Sequence, residues 1–123
     1  MQLQLEPERI KSRVIVRKGN EHLNLLLNDI VLFYTENKVA FAIDKNGRKF
    51  MTDRNLAELE EKLDPSIFFR ASRQYIINVD YIYSFRTYER SKILVELSVK
   101  HPEHTIIISQ ETAPSFRRWI YES

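Results

Sequence analysis

FFRASRQYIINVDYI, residues 68–82, is the stretch on which the reading of the whole chain turns. Phe68-Phe69 and Tyr75-Ile76-Ile77 are aromatic or β-branched, the composition of packed strands. Between them stand Arg70, the small pair Ala71-Ser72 and Arg73. Guanidinium groups at the mouth of so apolar a stretch make sense if the apolar residues anchor a short loop and an arginine projects from it to a partner. The other reading is that Arg70 or Arg73 pairs with a surface carboxylate. For either arginine taken singly, both readings stand.

Outward from this stretch, short strands follow one another. SRVIVRK (12–18) and HLNLLL (22–27) flank Gly19-Asn20, and IVLFYTE (30–36) and VAFAID (39–44) flank Asn37-Lys38. Both dipeptides suit tight hairpin turns. KNG (45–47) turns the chain into RKFMT (48–52). Downstream, YSFRTY (83–88) and KILVELSV (92–99) are joined by ERS, and TIIIS (105–109) is a further strand. Ile93, Val95, Leu97 and Val99 fall on one face by strand alternation. NVDYI (78–82) suits a short helical turn, with Asn78 satisfying backbone groups there rather than a ligand.

Two segments break the pattern. TDRNLAELEEKLDP (52–65) places Leu56, Leu59 and Leu63 on one helical stripe. Thr52 or Asp53 is expected to cap its start and Pro65 to stop it. Its acidic outer face would repel phosphate and is expected to point away from any nucleic acid. APSFRRWIYES (113–123) predicts a short C-terminal helix with Phe116, Trp119 and Ile120 packing inward. The total is about eight to ten short strands and two small helices.

The chain has 123 residues, enough for one domain, and only two glycines and four prolines interrupt its apolar material. It has no cysteine, which excludes disulfides and thiol chemistry. MQLQLEPERIKSR carries no apolar signal core, and a cytoplasmic location is expected. Residues 1–10 are expected to be a linker or disordered lead-in, and 11–123 the domain. Strand following strand excludes the alternating architecture of a receiver domain. None of the common catalytic motifs occurs, so an enzyme is not expected. His22, His101 and His104 do not make a metal site: HPEH (101–104) offers two imidazoles without a third ligand and is expected to be a solvated loop. No cofactor is expected.

Net charge is only +2, but its distribution is uneven. Base gathers in RIKSRVIVRK, GRK, FFRASR, RTYERSK and FRR, and acid in AELEEKLD. A near-neutral total can therefore hide a basic face. Arginine on an anchored loop suits duplex DNA, because its fork matches guanine O6 and N7 in the major groove.

LDPSIFFRASRQYIINVDYIYSF (63–85) resembles the signature of LytTR-type DNA-binding domains of bacterial two-component response regulators. The pattern falls on Phe68, Arg70, Arg73, Ile76-Ile77, Asn78 and Ile82. The resemblance extends over residues 11–121: SRVIVRKGNEHLNLLLNDIVLFYTEN is similar to the family's opening strands, NLAELEEKLDP to its internal helix, and ISQETAPSFRRWI to its C-terminal end. It implies an elongated, mainly β fold of about ten short strands in small stacked sheets, with one internal helix and a short C-terminal helix. It implies that loops on one side enter successive major grooves. The DNA-binding residues it implies are Asn37 and Lys38 in the first loop, Arg70 and Arg73 in the quoted stretch, and Ser109 and Gln110 at the second groove. The chain departs from the family at Gln110-Glu111, where a basic residue is common. Gln110 can still address adenine N6 and N7.

The implied function is sequence-specific binding of double-stranded DNA and regulation of transcription. The implied partners are direct-repeat DNA sites and an N-terminal receiver domain in the full-length regulator. The isolated domain would be largely monomeric and would dimerise on DNA. Two other classes remain open: a β-rich protein-interaction module using Tyr81, Tyr83 and Tyr88 as contacts, and a single-stranded nucleic-acid binder using the same rings as stacking platforms.

Overall fold

In the computed structural model, residues 12–99 and 104–122 are described. Residues 1–10, expected as a lead-in, and His101 and Pro102 lie outside them. Ile30–Glu36 (β3) shows why the chain folds as it does. Its first five side chains are all buried, as suits a strand covered on both faces, and its sequence is correspondingly a continuous apolar run without alternation. It runs through the interior of a seven-stranded antiparallel sheet. The other strands are Arg13–Lys18 (β1), Glu21–Leu26 (β2), Val39–Asp44 (β4), Lys49–Met51 (β5), Phe68–Arg70 (β6) and Tyr75–Asn78 (β7), in the order β2-β1-β5-β4-β3-β7-β6. A second sheet joins Ile82–Tyr88 (β8), Lys92–Leu97 (β9) and Ile106–Ile108 (β10). The ten strands expected thus gather into one large and one small sheet.

The two faces of the large sheet carry two cores. On one, Ile30, Phe33, Phe68 and Ile76 pack with Leu56, Leu59 and Leu63, from and just after Leu56–Lys62 (α1). On the other, Leu32, Tyr34 and Ile77 pack with Ile93, Val95, Ile106 and Ile108 of the small sheet and with Phe116 of Ala113–Glu122 (α2). Leu97 and Val99 pack against this second core with Ile93 and Val95, the face that alternation predicts. Phe69 lies 5.6 Å from Phe116 and 5.0 Å from Trp119, ring centre to ring centre. Trp119 Nε1 donates to the Pro65 carbonyl at 2.8 Å, fastening α2 across both sheets.

Asn78, fully buried, donates from Nδ2 to the Ile30 carbonyl at 2.8 Å and accepts from the Asp80 N–H at 2.9 Å. It satisfies backbone groups at the 3-10 turn Val79–Tyr81, as expected.

The start of α1 differs from expectation. Asn55, not Thr52 or Asp53, is the cap: Glu58 N–H donates to Asn55 Oδ1 at 2.8 Å, and Asn55 N–H donates to Glu58 Oε1 at 3.2 Å. This is a reciprocal capping box. Thr52 has another role, since its N–H donates to Ala40 and its hydroxyl to the Arg54 carbonyl. Asp53 is paired with Arg17 at 2.8 Å. No helix among the described residues is long and apolar enough to cross a membrane.

Candidate nucleic-acid interface

Two chain reversals meet at one end of the large sheet. β3 and β7 pair with Tyr34 opposite Tyr75, and the Thr35 N–H donates to the Gln74 carbonyl at 3.0 Å. The β3–β4 turn, Asn37-Lys38, therefore stands beside the β6–β7 loop that carries Arg73. Glu36, Asn37, Lys38, Gln74, Tyr75 and His104 line a common depression.

Asn37 and Lys38 have φ of 51° and 67°. Positive φ at both central residues, with Glu36 opposite Val39, is the type I′ pattern that matches strand twist. Asparagine enters this region readily, whereas lysine adopts it only at a cost. An exposed lysine is thus held at a position better suited to glycine.

Aromatic rings stiffen the base of this turn. Tyr34 stacks on Phe41 at 5.4 Å and on Tyr75 at 6.2 Å. Lys49 lies 4.2 Å above the Phe41 ring and 3.7 Å from Glu36. Its ammonium is held above the ordinary lysine range, chiefly by the Tyr34 hydroxyl, with the Glu36 charge adding to this. Glu36, next to the turn, is thus paired with a cation whose charged form is favoured. Burial pushes the Tyr75 phenol up, with the charges of Tyr34 and Glu36 adding to it, so it stays protonated and shares a 2.9 Å hydrogen bond with His104 Nδ1. His104, expected in a solvated loop, instead packs 4.2 Å from the Tyr34 ring, because β10 leads it back over the second core.

Arg70, the last residue of β6, and Arg73, in the β6–β7 loop, differ in their surroundings. Arg70 Nε donates to the Ser72 carbonyl at 2.6 Å, Nη2 to the Arg73 carbonyl at 3.0 Å, and Nη1 to Glu60 at 3.0 Å. Arg73 is exposed and has no ion-pair partner among the described residues. Of the two readings left open by sequence, the carboxylate takes Arg70 and leaves Arg73 facing solvent.

The model of the LytTr DNA-binding domain matches residues 20–121. The chain belongs to this family. Among solved structures, the LytTr DNA-binding domain of a protein described as a methyl-accepting/DNA response regulator from Bacillus cereus aligns with a TM-score of 0.79. The two are 20% identical, over 89% of this chain and 97% of that one, a likeness of fold. Comparison with curated proteins returned no match. β1 precedes the matched residues, yet it pairs with β2 along its whole length from Arg13–Leu26 to Lys18–Glu21.

In this LytTr domain, the residues expected from sequence fall into two groups. Asn37, Lys38, Arg70 and Arg73 come together at the sheet end. Ser109 and Gln110 lie on the turn between β10 and α2, and among the described residues no hydrogen bond or ion pair joins them to the other four. The Ser109 hydroxyl accepts the Thr112 N–H at 3.2 Å and donates to the Thr112 hydroxyl at 3.1 Å. It shapes the turn that leaves Gln110 exposed. Ile108 stands opposite Ile93, so this turn borders the β8–β9 hairpin, where Arg90 and Ser91 also have positive φ.

Two residues near these turns carry no signal in the sequence that singles them out. Glu60, assigned by its helical position to a face turned away, reaches Arg70 across the fold; no local periodicity encodes that contact. Lys49 was seen only as part of a basic cluster. The tyrosines proposed as contacts also differ among themselves: Tyr81 is half-buried and donates to the Asn28 carbonyl at 2.7 Å, Tyr88 is half-buried, and Tyr83 alone of the three is exposed.

Proposed function

We propose that this LytTr domain, residues 11–123, binds double-stranded DNA sequence-specifically and is the output domain of a cytoplasmic two-component response regulator controlling transcription. The observation that carries the reading is Arg73, an exposed guanidinium without an ion-pair partner among the described residues, on a loop braced at both peptide units, beside a lysine held at positive φ. Rigid presentation matters because a bidentate arginine–guanine contact tolerates little misplacement. In this reading Arg73 addresses guanine, and Asn37 and Lys38 contact the same major groove or its phosphates. Arg70 serves by shaping the loop. Ser109 and Gln110 address the next major groove, with Gln110 suited to adenine.

Membership of a family of DNA-binding domains supports this reading over a protein-interaction module, and the partial burial of Tyr81 and Tyr88 removes two of three rings from a stacking platform for single strands. In the full-length regulator a receiver domain would precede this one, and two copies would occupy direct repeats while the isolated domain stays monomeric off DNA. Selection from a random duplex library tests the proposal. Recovery of a repeated motif with a G·C pair whose preference depends on Arg73 supports it. Failure to enrich any duplex, or a preference for single strands, overturns it.

A further inference from the structure

We infer that Glu60 of α1 is a positioning residue for DNA recognition: through the Arg70 guanidinium it sets the aim of Arg73. The inference rests on the reading of Arg73 as a base reader. The carbonyls of Ser72 and Arg73 belong to the two peptide units on either side of the Arg73 Cα, and one guanidinium holds both, at 2.6 and 3.0 Å. Fixing both units fixes the direction in which the Arg73 side chain leaves the backbone. A guanidinium is planar and its N–H groups keep constant angles, so anchoring its third nitrogen orients the other two. Glu60 is that anchor, at 3.0 Å from Nη1. The Arg70 side chain is 25% exposed and the Glu60 side chain 54%, so burial does not account for the placement of Glu60. What places it is the helix, fixed by its capping box and by Leu56 and Leu59 beneath it.

The sign of the effect separates positioning from plain electrostatics. A carboxylate near the DNA-facing end repels phosphate, so its removal should tighten binding to every duplex. A positioning role demands the opposite for the specific site, because a loop no longer pre-organised must be ordered on binding.

The test measures Glu60→Gln, Arg73→Ala and the double variant in the full chain. The duplex recovered by selection, its base-pair variants and a non-specific duplex serve as probes. Glu60→Gln should weaken binding to the selected duplex about two- to fivefold, the scale of a partly exposed ion pair. It should relax preference at the base pairs that Arg73→Ala relaxes, leave non-specific binding unchanged or tighter, and add nothing in the Arg73→Ala background. Arg70→Lys, which keeps the charge and loses the fork, should show the same loss of discrimination. If Arg73→Ala weakens the selected duplex but Glu60→Gln leaves it unchanged or tighter, the inference falls and the reader assignment stands. The same holds if the Glu60→Gln effect persists without Arg73. If Arg73→Ala binds like the wild type, the reader assignment falls and takes the inference with it.

Discussion

The side chain of Asn78 donates to the main-chain carbonyl of Ile30 at 2.8 Å, joining residues 48 positions apart inside the protein. The same amide accepts from Asp80 at 2.9 Å. One fully buried group thus ties the entry of β3 to the turn that leads from the large sheet to the small one. Asn78→Ala would take the side-chain partner from the carbonyl of buried Ile30 and from the N–H of Asp80, an exposed residue that water can satisfy. The expected cost is about 1–3 kcal/mol, that of one buried group left unsatisfied. A denaturant titration checks this. Stability within about 0.5 kcal/mol of wild type, the range of an ordinary surface substitution, would contradict it.

Arg73→Ala should act in the opposite sense. Arg73 is exposed and donates no side-chain hydrogen bond among the described residues, so the melting curve should not move. Binding to the selected duplex should weaken by about 1–3 kcal/mol, with preference lost at one or two base pairs. Titration calorimetry beside a thermal melt distinguishes the cases. A variant that unfolds early would make Arg73 a structural residue.

What could be read in advance, and what could not, follows from the range of the forces involved. β3 and its turn were legible because IVLFYTE is a contiguous apolar run and Asn37-Lys38 is a local turn signal. The exposed place of Arg73 on its loop is legible because its anchors, Phe68-Phe69 and Tyr75–Ile77, lie within the same short stretch. The helix cap is not legible, although Asn55 and Glu58 carry the capping-box spacing, because Thr52 and Asp53 are equally able to cap by residue type. Only the fold shows that β4 takes the Thr52 N–H and Arg17 takes Asp53. The Glu60–Arg70 pair and the packing of His104 on Tyr34 join separate elements, and no periodicity within either element records such a meeting. Ser109 and Gln110, which family resemblance implies for a second groove, lie on the turn between β10 and α2, apart from the cluster at the end of the large sheet.

Lys38 tests whether the β3–β4 turn trades backbone comfort for binding. With φ of 67°, it occupies a region that disfavours any residue with a Cβ by about 1–2 kcal/mol. Asn-Gly is the preferred pair for this turn. Lys38→Gly should therefore leave stability unchanged or raise it by up to about 1 kcal/mol, part of the relief being offset by the greater freedom of glycine in the unfolded chain. Binding should nevertheless weaken. If Lys38 meets a phosphate, all duplexes suffer alike and the slope of log affinity against log salt falls by about one. If Lys38 meets a base, the slope holds and the selected motif changes. A variant both more stable and equally tight would show that the turn has no binding role.

The salt dependence of the unmodified protein tests the interface as a whole. Several of its cations are already neutralised at the surface: Arg17 by Asp53, Arg48 by Asp44, Lys49 by Glu36, Arg70 by Glu60 and Arg86 by Glu96. In the proposed reading the phosphate contacts come from cations with no ion-pair partner among the described residues, with Lys38, Arg73 and Arg90 standing on the turns and loop. A LytTr domain that spans two major grooves should neutralise about four to six phosphates, giving a slope of about −4 to −5 in log affinity against log salt concentration. Fluorescence anisotropy over a salt series measures it. Lys49→Met should weaken all duplexes together, because Glu36 would stand unneutralised beside the Asn37-Lys38 turn, and the change should shrink as salt screens that charge. A flat salt dependence for the unmodified domain would remove the duplex-DNA reading itself. An interface built from a few loop residues cannot hold a duplex usefully without the release of its counterions.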